Sequence, residues 1–226
     1  MSLRTSKVKT YLPKIIWGII GLVLVACIFR VAIWEHNYYA EKEGSERAVA
    51  ESAPAETVDE TKPTEAEITE YTVAADRPRY LSIEKLGVKN SRIKEMGLTA
   101  TGELATPSNI FDTGWYFASG KPGEGKTMLL DGHNGGPHIE GVFKHLDTLA
   151  KGDLITVERG DGTVFTYEVY DNVAVDLDQA GPYMNTIQQS PVEGQESLSI
   201  ITCIGEWSQA RQTYLSRQFL RAVLKN

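Results

Sequence analysis

The chain has 226 residues, of which 42% are hydrophobic and 23% are charged, and its formal net charge is −7. This composition is that of a globular protein and excludes a chain that is disordered throughout. Two cysteines exclude a disulfide scaffold and a cysteine-rich zinc module. The acidic balance argues against a nucleic-acid partner, which would need a basic surface.

The N-terminal part of the chain is basic and contains one long apolar run. Residues 15–33 are apolar except for Arg30, and residues 1–34 carry no acidic side chain. As a helix the run would span roughly 28 Å, about the thickness of the hydrocarbon core of a membrane. We therefore predict a basic cytoplasmic tail at 1–14 and a transmembrane helix at 15–34. The charge bias across this helix predicts a single-pass protein of the cell membrane with an extracellular body.

Two alternatives compete with an uncleaved membrane anchor. A cleaved signal peptide would need small residues after a shorter apolar core, and none follow cleanly. The segment Leu24–Cys27 also resembles a lipobox, which would make Cys27 a lipidated N-terminus. The apolar run continues past Cys27, however, where a lipoprotein normally turns polar, so we favour the anchor.

Residues 35–76 are strongly acidic and poor in large apolar side chains. Such a segment cannot bury enough surface to fold alone. We predict an acidic stalk and flexible linker over 35–76. The alternative is that residues 41–76 form a regulatory lid over a functional site.

The remaining part, residues 77–226, has the pattern of a mostly β domain. Its apolar runs are short, rich in Val, Ile, Tyr and Phe, and separated by Gly, Pro, Asn and Asp. One segment, Phe143–Ala150, has apolar residues spaced for a helix. Many short strands without alternating long helices predict an antiparallel barrel or sandwich. The strands predicted most clearly are Lys126–Leu130, Asp153–Glu158, Thr163–Tyr170, Ser197–Thr202 and Arg217–Leu224, with an Asp-Gly hairpin turn at Arg159–Gly162.

Cys203 is a candidate nucleophile because it ends a strand. The apolar and β-branched run before it predicts that a strand carries the thiol to a rim, and Gly205 would let the chain turn away. On position alone, a lone cysteine in a β domain is more often inert core packing than a nucleophile.

His133 is the second candidate, since it closes a strand and opens a glycine-rich loop. Loops at strand ends commonly carry functional side chains. An exposed histidine with no function is the alternative. His138, His145 and Asp131 could join His133 as metal ligands, but their spacing matches no zinc pattern, and we expect no metal and no cofactor.

Arg217 is the third candidate, because it begins the last strand. If this strand pairs antiparallel with the strand that ends at Cys203, Arg217 lies beside the thiol and Arg221 lies about 13 Å further along. A thiolate needs a positive neighbour, and a tetrahedral oxyanion needs fixed donors. Arg217 can serve either need.

With these residues in view, the chain resembles the sortases, membrane-anchored cysteine transpeptidases of Gram-positive cell envelopes. Their motif Thr-Leu-x-Thr-Cys stands here as Ser199–Cys203, and their Gly-His pair stands as Gly132-His133. The family arginine at the start of the last strand matches Arg217. The segment Phe143–Asp153 also resembles the one that follows the histidine in many sortases.

The resemblance implies an eight-stranded β-barrel and a defined reaction. Cys203 would attack a C-terminal sorting motif, similar to Leu-Pro-x-Thr-Gly, of a secreted surface protein and form a thioacyl-enzyme. His133 would act as acid and base, Arg217 would hold the substrate and the oxyanion, and Thr202 would contact the substrate. A peptidoglycan precursor or a pilin amine would resolve the intermediate. The implied enzyme is a monomer.

Other classes of protein fit the residues less well. An L,D-transpeptidase expects Ser-x-Gly-Cys, and a chymotrypsin-like cysteine protease expects glycine where Ile201 stands. No Gly-x-Ser-x-Gly motif is present for a serine hydrolase. A tethered binding module with a sortase-like fold and no catalysis is the non-enzymatic alternative.

Overall fold

The computed structural model describes Arg30 and residues 58–100, 102–211 and 213–225. Among these residues, no helix combines the length and the apolar character needed to cross a membrane.

Three of the segments predicted from the sequence lie mainly outside the described residues. The basic tail at 1–14 and the first part of the linker, 35–57, lie outside the described residues. The predicted transmembrane helix at 15–34 also lies outside them, apart from Arg30.

Within the described residues, eight strands form a closed barrel, as the family resemblance implies; the residue pattern alone left a sandwich open. The order around the barrel is β1-β2-β3-β4-β7-β8-β6-β5. The β2–β3 and β4–β7 pairs are parallel and the other neighbours are antiparallel, so the predicted antiparallel arrangement is wrong at two pairs. In chain order the strands are β1 (Pro78–Ile83), β2 (Val88–Met96), β3 (Thr113–Tyr116), β4 (Thr127–Gly132), β5 (Leu154–Arg159), β6 (Val164–Asp176), β7 (Ser197–Ser208) and β8 (Thr213–Leu224).

The strands have two apolar faces, because alternate residues point to opposite sides. One face fills the barrel, where Trp115, Phe143 and Tyr167 are among the largest buried side chains. The other face carries a second buried cluster outside the barrel, against the helix α2 (Leu177–Ile187). This outer cluster lies where β4, β7 and β8 run side by side.

The hairpin between β5 and β6 forms where the sequence predicts it. Gly162 has a φ of 85°, a left-handed conformation that glycine adopts without strain. The Asp161 carboxylate accepts a hydrogen bond from Thr163 N at 3.0 Å, which closes the turn.

The helix predicted over Phe143–Ala150 is wrong. Only a 3₁₀ turn forms, at Leu146–Thr148. Apolar residues three positions apart suit the three-residue turn of a 3₁₀ helix, and the backbone bonds here run from i+3 to i. Asn172 Nδ2 also donates to the carbonyls of Leu146 and Leu149, so neither carbonyl needs an α-helical partner.

Helix α2 was not predicted, because Gly181 and Pro182 lie inside it. These residues normally break a helix. Here Ala180 and Ile187 are buried in the outer cluster, and the Tyr183 ring lies 4.9 Å from the Phe219 ring. Tertiary packing therefore overrides the local preference.

The structure differs from the predicted flexible linker over residues 58–76. Helix α1 (Glu65–Thr69) begins at a capping box, in which Thr64 and Glu67 bond each other's backbone N–H. The Tyr71 hydroxyl donates to Ile93 O of β2, and Arg79 Nε donates to Tyr71 O at 2.8 Å. Polar contacts hold this segment to the barrel, which is why low apolar content did not reveal the packing.

The same segment also binds two loops at one end of the barrel. Ile110 N donates to Asp59 O, and Asn109 Nδ2 donates to the Asp59 carboxylate, both at 2.9 Å. Glu60 Oε1 accepts from His138 N at 2.8 Å. The loops so joined are the one before β3 and the one after β4.

Buried polar groups fix the register of the parallel β4–β7 pair at its far end. The Glu196 carboxylate, just before β7, accepts from Gly123 N, Gly125 N and the Tyr167 hydroxyl at 2.7 to 3.0 Å. One residue later, Ser197 Oγ lies 2.8 Å from Thr127 Oγ1. The start of β7 is thus tied to the turn that leads into β4.

We expect Glu196→Ala to lower the free energy of unfolding by about 3 kcal/mol, because the buried Tyr167 hydroxyl and two backbone N–H groups lose their acceptor. Urea unfolding measures the change. Glu196→Gln keeps one oxygen and should lose less. An alanine variant within about 0.5 kcal/mol of the parent would contradict this account.

We expect Tyr71→Ala to release the segment before β1, since it removes both the hydrogen bond to Ile93 O and the ring beneath Lys94 Nζ, 4.5 Å from its centroid. Limited digestion with a glutamate-specific protease should then cut faster at Glu65, Glu67 and Glu70, none of which precedes a proline. Tyr71→Phe, which keeps the ring, should show a smaller increase. Equal cleavage of the parent, Tyr71→Ala and Tyr71→Phe would mean that contacts other than those of Tyr71 hold the segment to the barrel.

Candidate active site

Cys203 and Arg217 lie directly opposite each other in the antiparallel β7–β8 pair. The sequence predicted this juxtaposition, and Arg221 instead pairs with Ser199. After Cys203 the register shifts between Ile204 and Trp207, and Gly205 has a φ of 83°. The predicted turn is therefore only a bulge, after which β7 continues to Ser208, and Cys203 stays partly exposed.

The Arg217 guanidinium is held by the start of its own strand. Its Nη1 donates to Tyr214 O at 2.9 Å and to Ser216 O at 3.1 Å, and its Nη2 donates to Thr213 Oγ1 at 3.0 Å. These contacts fix a positive charge next to the thiol.

His133 follows directly after β4, on the other side of β7. The parallel pairing aligns Leu130 with Ile200 and Asp131 with Ile201, so two steps further His133 comes level with Cys203. Adjacent strands lie about 4.8 Å apart. His133 Nε2 lies 2.8 Å from Pro107 O, which orients the half-buried ring.

Thr202 is buried, and its hydroxyl donates to Gly132 O at 2.8 Å. This bond ties β7 to the last residue of β4, one position before both His133 and Cys203. The contact gives Thr202 a part in aligning the two strand ends. Its predicted contact with a substrate stays a prediction.

An open cavity of about 960 Å³ lies over the outer face of β4, β7 and β8. Its walls are largely apolar, and α2 forms one side. Cys203 and Arg217 line it, whereas none of residues 58–76 does. Its apolar lining includes Leu98, Leu104, Tyr116, Leu129, Ala180, Met184, Ile201 and Phe219.

Burial shifts both titrating groups toward their neutral forms. Burial raises the pKa of the Cys203 thiol, Arg217 partly offsets that rise, and Asp131 adds to it. Burial lowers the pKa of His133, and the contact with Pro107 O partly opposes this. At neutral pH the resting pair is therefore a neutral thiol and a neutral imidazole.

The other two histidines of the body stand apart from this cavity. His138 lies in the exposed loop after β4, and His145 Nε2 lies 3.4 Å from Glu140 Oε2. Among the described residues, no three His, Cys, Asp or Glu side chains come close enough to hold a metal ion.

Sequence reasoning missed two contributors to the site. Pro107, which positions His133, lies in a loop with no motif. Asp131 lines the cavity and is 8% exposed, although the sequence suggested it only as a metal ligand. The sequence does contain a signal for Asp131: an acidic residue stands on a buried strand, two residues before His133.

Fold and site together define a closed β-barrel with a cysteine on β7, an arginine opposite it on β8 and a histidine directly after the neighbouring β4. A family model described as "Sortase domain" matches residues 81–225. The chain belongs to the sortase family, and this membership implies a transpeptidase.

Several solved sortases resemble the chain. The sortase C of Streptococcus pneumoniae is 18% identical, with 81% of this chain and 86% of that chain covered and a TM-score of 0.48. A sortase D5 transpeptidase of Clostridium perfringens is 21% identical, with 82% and 98% covered and a TM-score of 0.47. The sortase C1 of Streptococcus agalactiae is 23% identical, with 73% and 78% covered and a TM-score of 0.47. No curated protein sequence matches the chain.

We expect Arg217→Gln to raise the pH midpoint of Cys203 alkylation, because the variant loses the charge that lowers the pKa of the thiol. A rise of about 0.5 to 1 pH unit is the scale for one nearby charge. Iodoacetamide modification followed by mass spectrometry gives the midpoint. Arg217→Lys keeps the charge and should lie near the parent.

Arg221→Gln is the matched control on the same strand, since Arg221 pairs with the Asp171 carboxylate. Its midpoint should equal that of the parent. A larger shift in Arg221→Gln than in Arg217→Gln would contradict the β7–β8 register.

Proposed function

We propose that the protein is a cysteine transpeptidase that cleaves a C-terminal sorting motif of secreted surface proteins and transfers the acyl part to an amine. The observation that carries the proposal is the meeting of Cys203, Arg217 and the His133-bearing strand end at one apolar cavity. Family membership supports the class of reaction.

In the first step the Cys203 thiol passes its proton to the His133 imidazole, and the thiolate attacks the scissile carbonyl carbon. The carbonyl π electrons move to oxygen and give a tetrahedral oxyanion. Arg217, fixed opposite Cys203, supplies positive charge and N–H donors for that oxyanion and for the peptide backbone. When the oxyanion collapses, the carbon–nitrogen bond breaks and the His133 imidazolium protonates the leaving amine.

In the second step an incoming amine attacks the thioester carbonyl, and His133 takes up its proton. Collapse expels the Cys203 thiolate, which regains a proton, and a new amide forms. Two acyl transfers replace one difficult amide exchange. A peptidoglycan precursor or a pilin side chain is the amine we propose.

The location proposed from the sequence suits this reaction. A single-pass helix at 15–34 would hold the enzyme at the outer surface of the cell membrane, where exported substrates pass. Confinement to one layer raises effective concentration without new contacts. We propose a monomer that needs no cofactor, with Thr202 placed to contact the bound peptide through the cavity that it lines.

We expect intact-mass analysis of the full chain, incubated with a panel of sorting-motif peptides, to reveal an acyl adduct on Cys203. Cys203→Ala should show no adduct and no transfer, and His133→Ala should lose nearly all transfer. His145→Ala, on the exposed loop, is the matched histidine control and should remain active. Transfer above background in Cys203→Ala would rule out the mechanism.

A further inference from the structure

The cavity that holds Cys203 also holds a buried carboxyl group that the mechanism above does not use. Asp131, on β4, is 8% exposed and lies on the same strand face as Leu129 of the outer cluster. Among the described residues, no Lys, Arg or His forms an ion pair with it. A carboxyl group in such a place disfavours its charged form.

The surroundings of Asp131 are shaped to hold this group. Thr106 Oγ1 donates to Asp131 Oδ2 at 2.6 Å. On the opposite side, Gly114 of β3 pairs with Asp131, and a Cβ atom at that position would overlap Asp131 Oδ1. The glycine therefore leaves the space that the carboxyl fills, and any larger residue would displace it.

The register brings this carboxyl close to the thiol. Asp131 pairs with Ile201, and Cys203 is two residues further along the same face of β7. A strand spacing of about 4.8 Å and a two-residue rise of about 6.7 Å put the two Cα atoms roughly 8 Å apart. Because the Asp131 carboxyl is buried, water screens it poorly, and two negative charges at that distance repel each other appreciably.

Other charged or titratable groups line the cavity or lie beside it. Arg217 faces Cys203 from β8. Glu103 and Arg211 line the cavity as well, and both are exposed. His133, two residues after Asp131, is directed toward Pro107 O. Asp131 is thus the buried acid of the site, and Arg217 is the cation nearest to the thiol.

We propose that Asp131 is a positioning residue that controls the ionisation of Cys203, because the cavity accommodates one negative charge more readily than two. A protonated Asp131 leaves Arg217 free to stabilise the thiolate, whereas an ionised Asp131 opposes loss of the thiol proton. The expected effect of Asp131 on turnover rests on the proposed function of Cys203. Its expected effect on the ionisation of the thiol does not.

The titration of the two groups agrees with this coupling. Burial raises the pKa of Asp131 to about 7, against a smaller lowering by Thr106. Asp131 in turn raises the pKa of Cys203. As the pH rises through about 7, Asp131 ionises and the Cys203 thiol becomes harder to deprotonate, so the reactive thiolate increases less steeply on the alkaline side.

The test measures alkylation of Cys203 by iodoacetamide against pH, in the full chain carrying Cys27→Ala so that Cys203 is its single thiol. Asp131→Asn removes the charge at nearly constant shape. We expect its midpoint to fall by about 0.5 pH unit, which equals about a threefold faster reaction at a fixed pH below the midpoint. Asp131→Ala, a second neutral variant, should move the midpoint in the same direction.

Thr106→Val is the matched control, because it removes the hydrogen bond but keeps the carboxyl. Its midpoint should fall less than that of Asp131→Asn, because the carboxyl stays in place and still ionises, at a somewhat higher pH without the Thr106 hydrogen bond. An unchanged midpoint in both neutral variants, or an equal fall in Thr106→Val, would overturn the proposal.

A second measurement needs no substitution at Asp131. The carboxyl carbon of Asp131 in the parent chain, followed by NMR, should titrate near pH 7. Titration near the ordinary value of an aspartate would overturn the proposal. Neither result depends on transfer activity, so a chain that forms no acyl adduct would refute the proposed function while leaving this inference to be judged separately.

Discussion

The pairing of β7 with β4 on one side and with β8 on the other is the constraint on which the site depends. A shift of one residue in either pair would turn every side chain to the opposite face. The observed register sets Cys203 opposite Arg217 and brings the residue after β4 level with the thiol. Glu196 at one end of the β4–β7 pair and Thr202 at the other hold that register through hydrogen bonds. These polar groups therefore align Cys203 with His133.

Burial provides the cavity but works against the charges that the chemistry needs. The same apolar surroundings raise the pKa of Cys203 and lower that of His133. Arg217 opposes part of this effect by supplying a fixed positive charge beside the thiol. Asp131 acts in the opposite direction, so the reactivity of the thiol reflects a balance of two neighbours rather than burial alone.

Much of the site could be predicted from the sequence, because strand ends and their order are local features. The run before Cys203, the Gly-His pair at 132–133 and the first residues of the last strand identified three side chains from pattern and family resemblance. Strand pairing then brought Cys203 and Arg217 together, as the hypothesis of antiparallel pairing between their strands predicted. The short apolar runs with turn residues between them predicted a β domain, a barrel or a sandwich, and the family resemblance favoured the barrel that the structure has.

The features that the sequence did not predict depend on contacts between segments that are distant in the chain. The packing of residues 58–76 relies on bonds such as that from Tyr71 to Ile93 O, which composition does not reveal. The predicted helix at Phe143–Ala150 was wrong because Asn172, on β6, donates hydrogen bonds to two carbonyls of the 3₁₀ turn that forms there. Asp131 could not be assigned from its neighbours in sequence, since its environment comes from Thr106 and Gly114.

Disulfide trapping tests the central claim most directly. In the full chain with Cys27→Ala, a cysteine is placed at position 133, 217 or 221, and intramolecular bond formation with Cys203 is followed by mass spectrometry under mild oxidation. Disulfides need Cα atoms within about 7 Å. The account predicts that His133→Cys and Arg217→Cys each cross-link to Cys203 and that Arg221→Cys does not. Cross-linking of Arg221→Cys alone, or of none of the three, would contradict it.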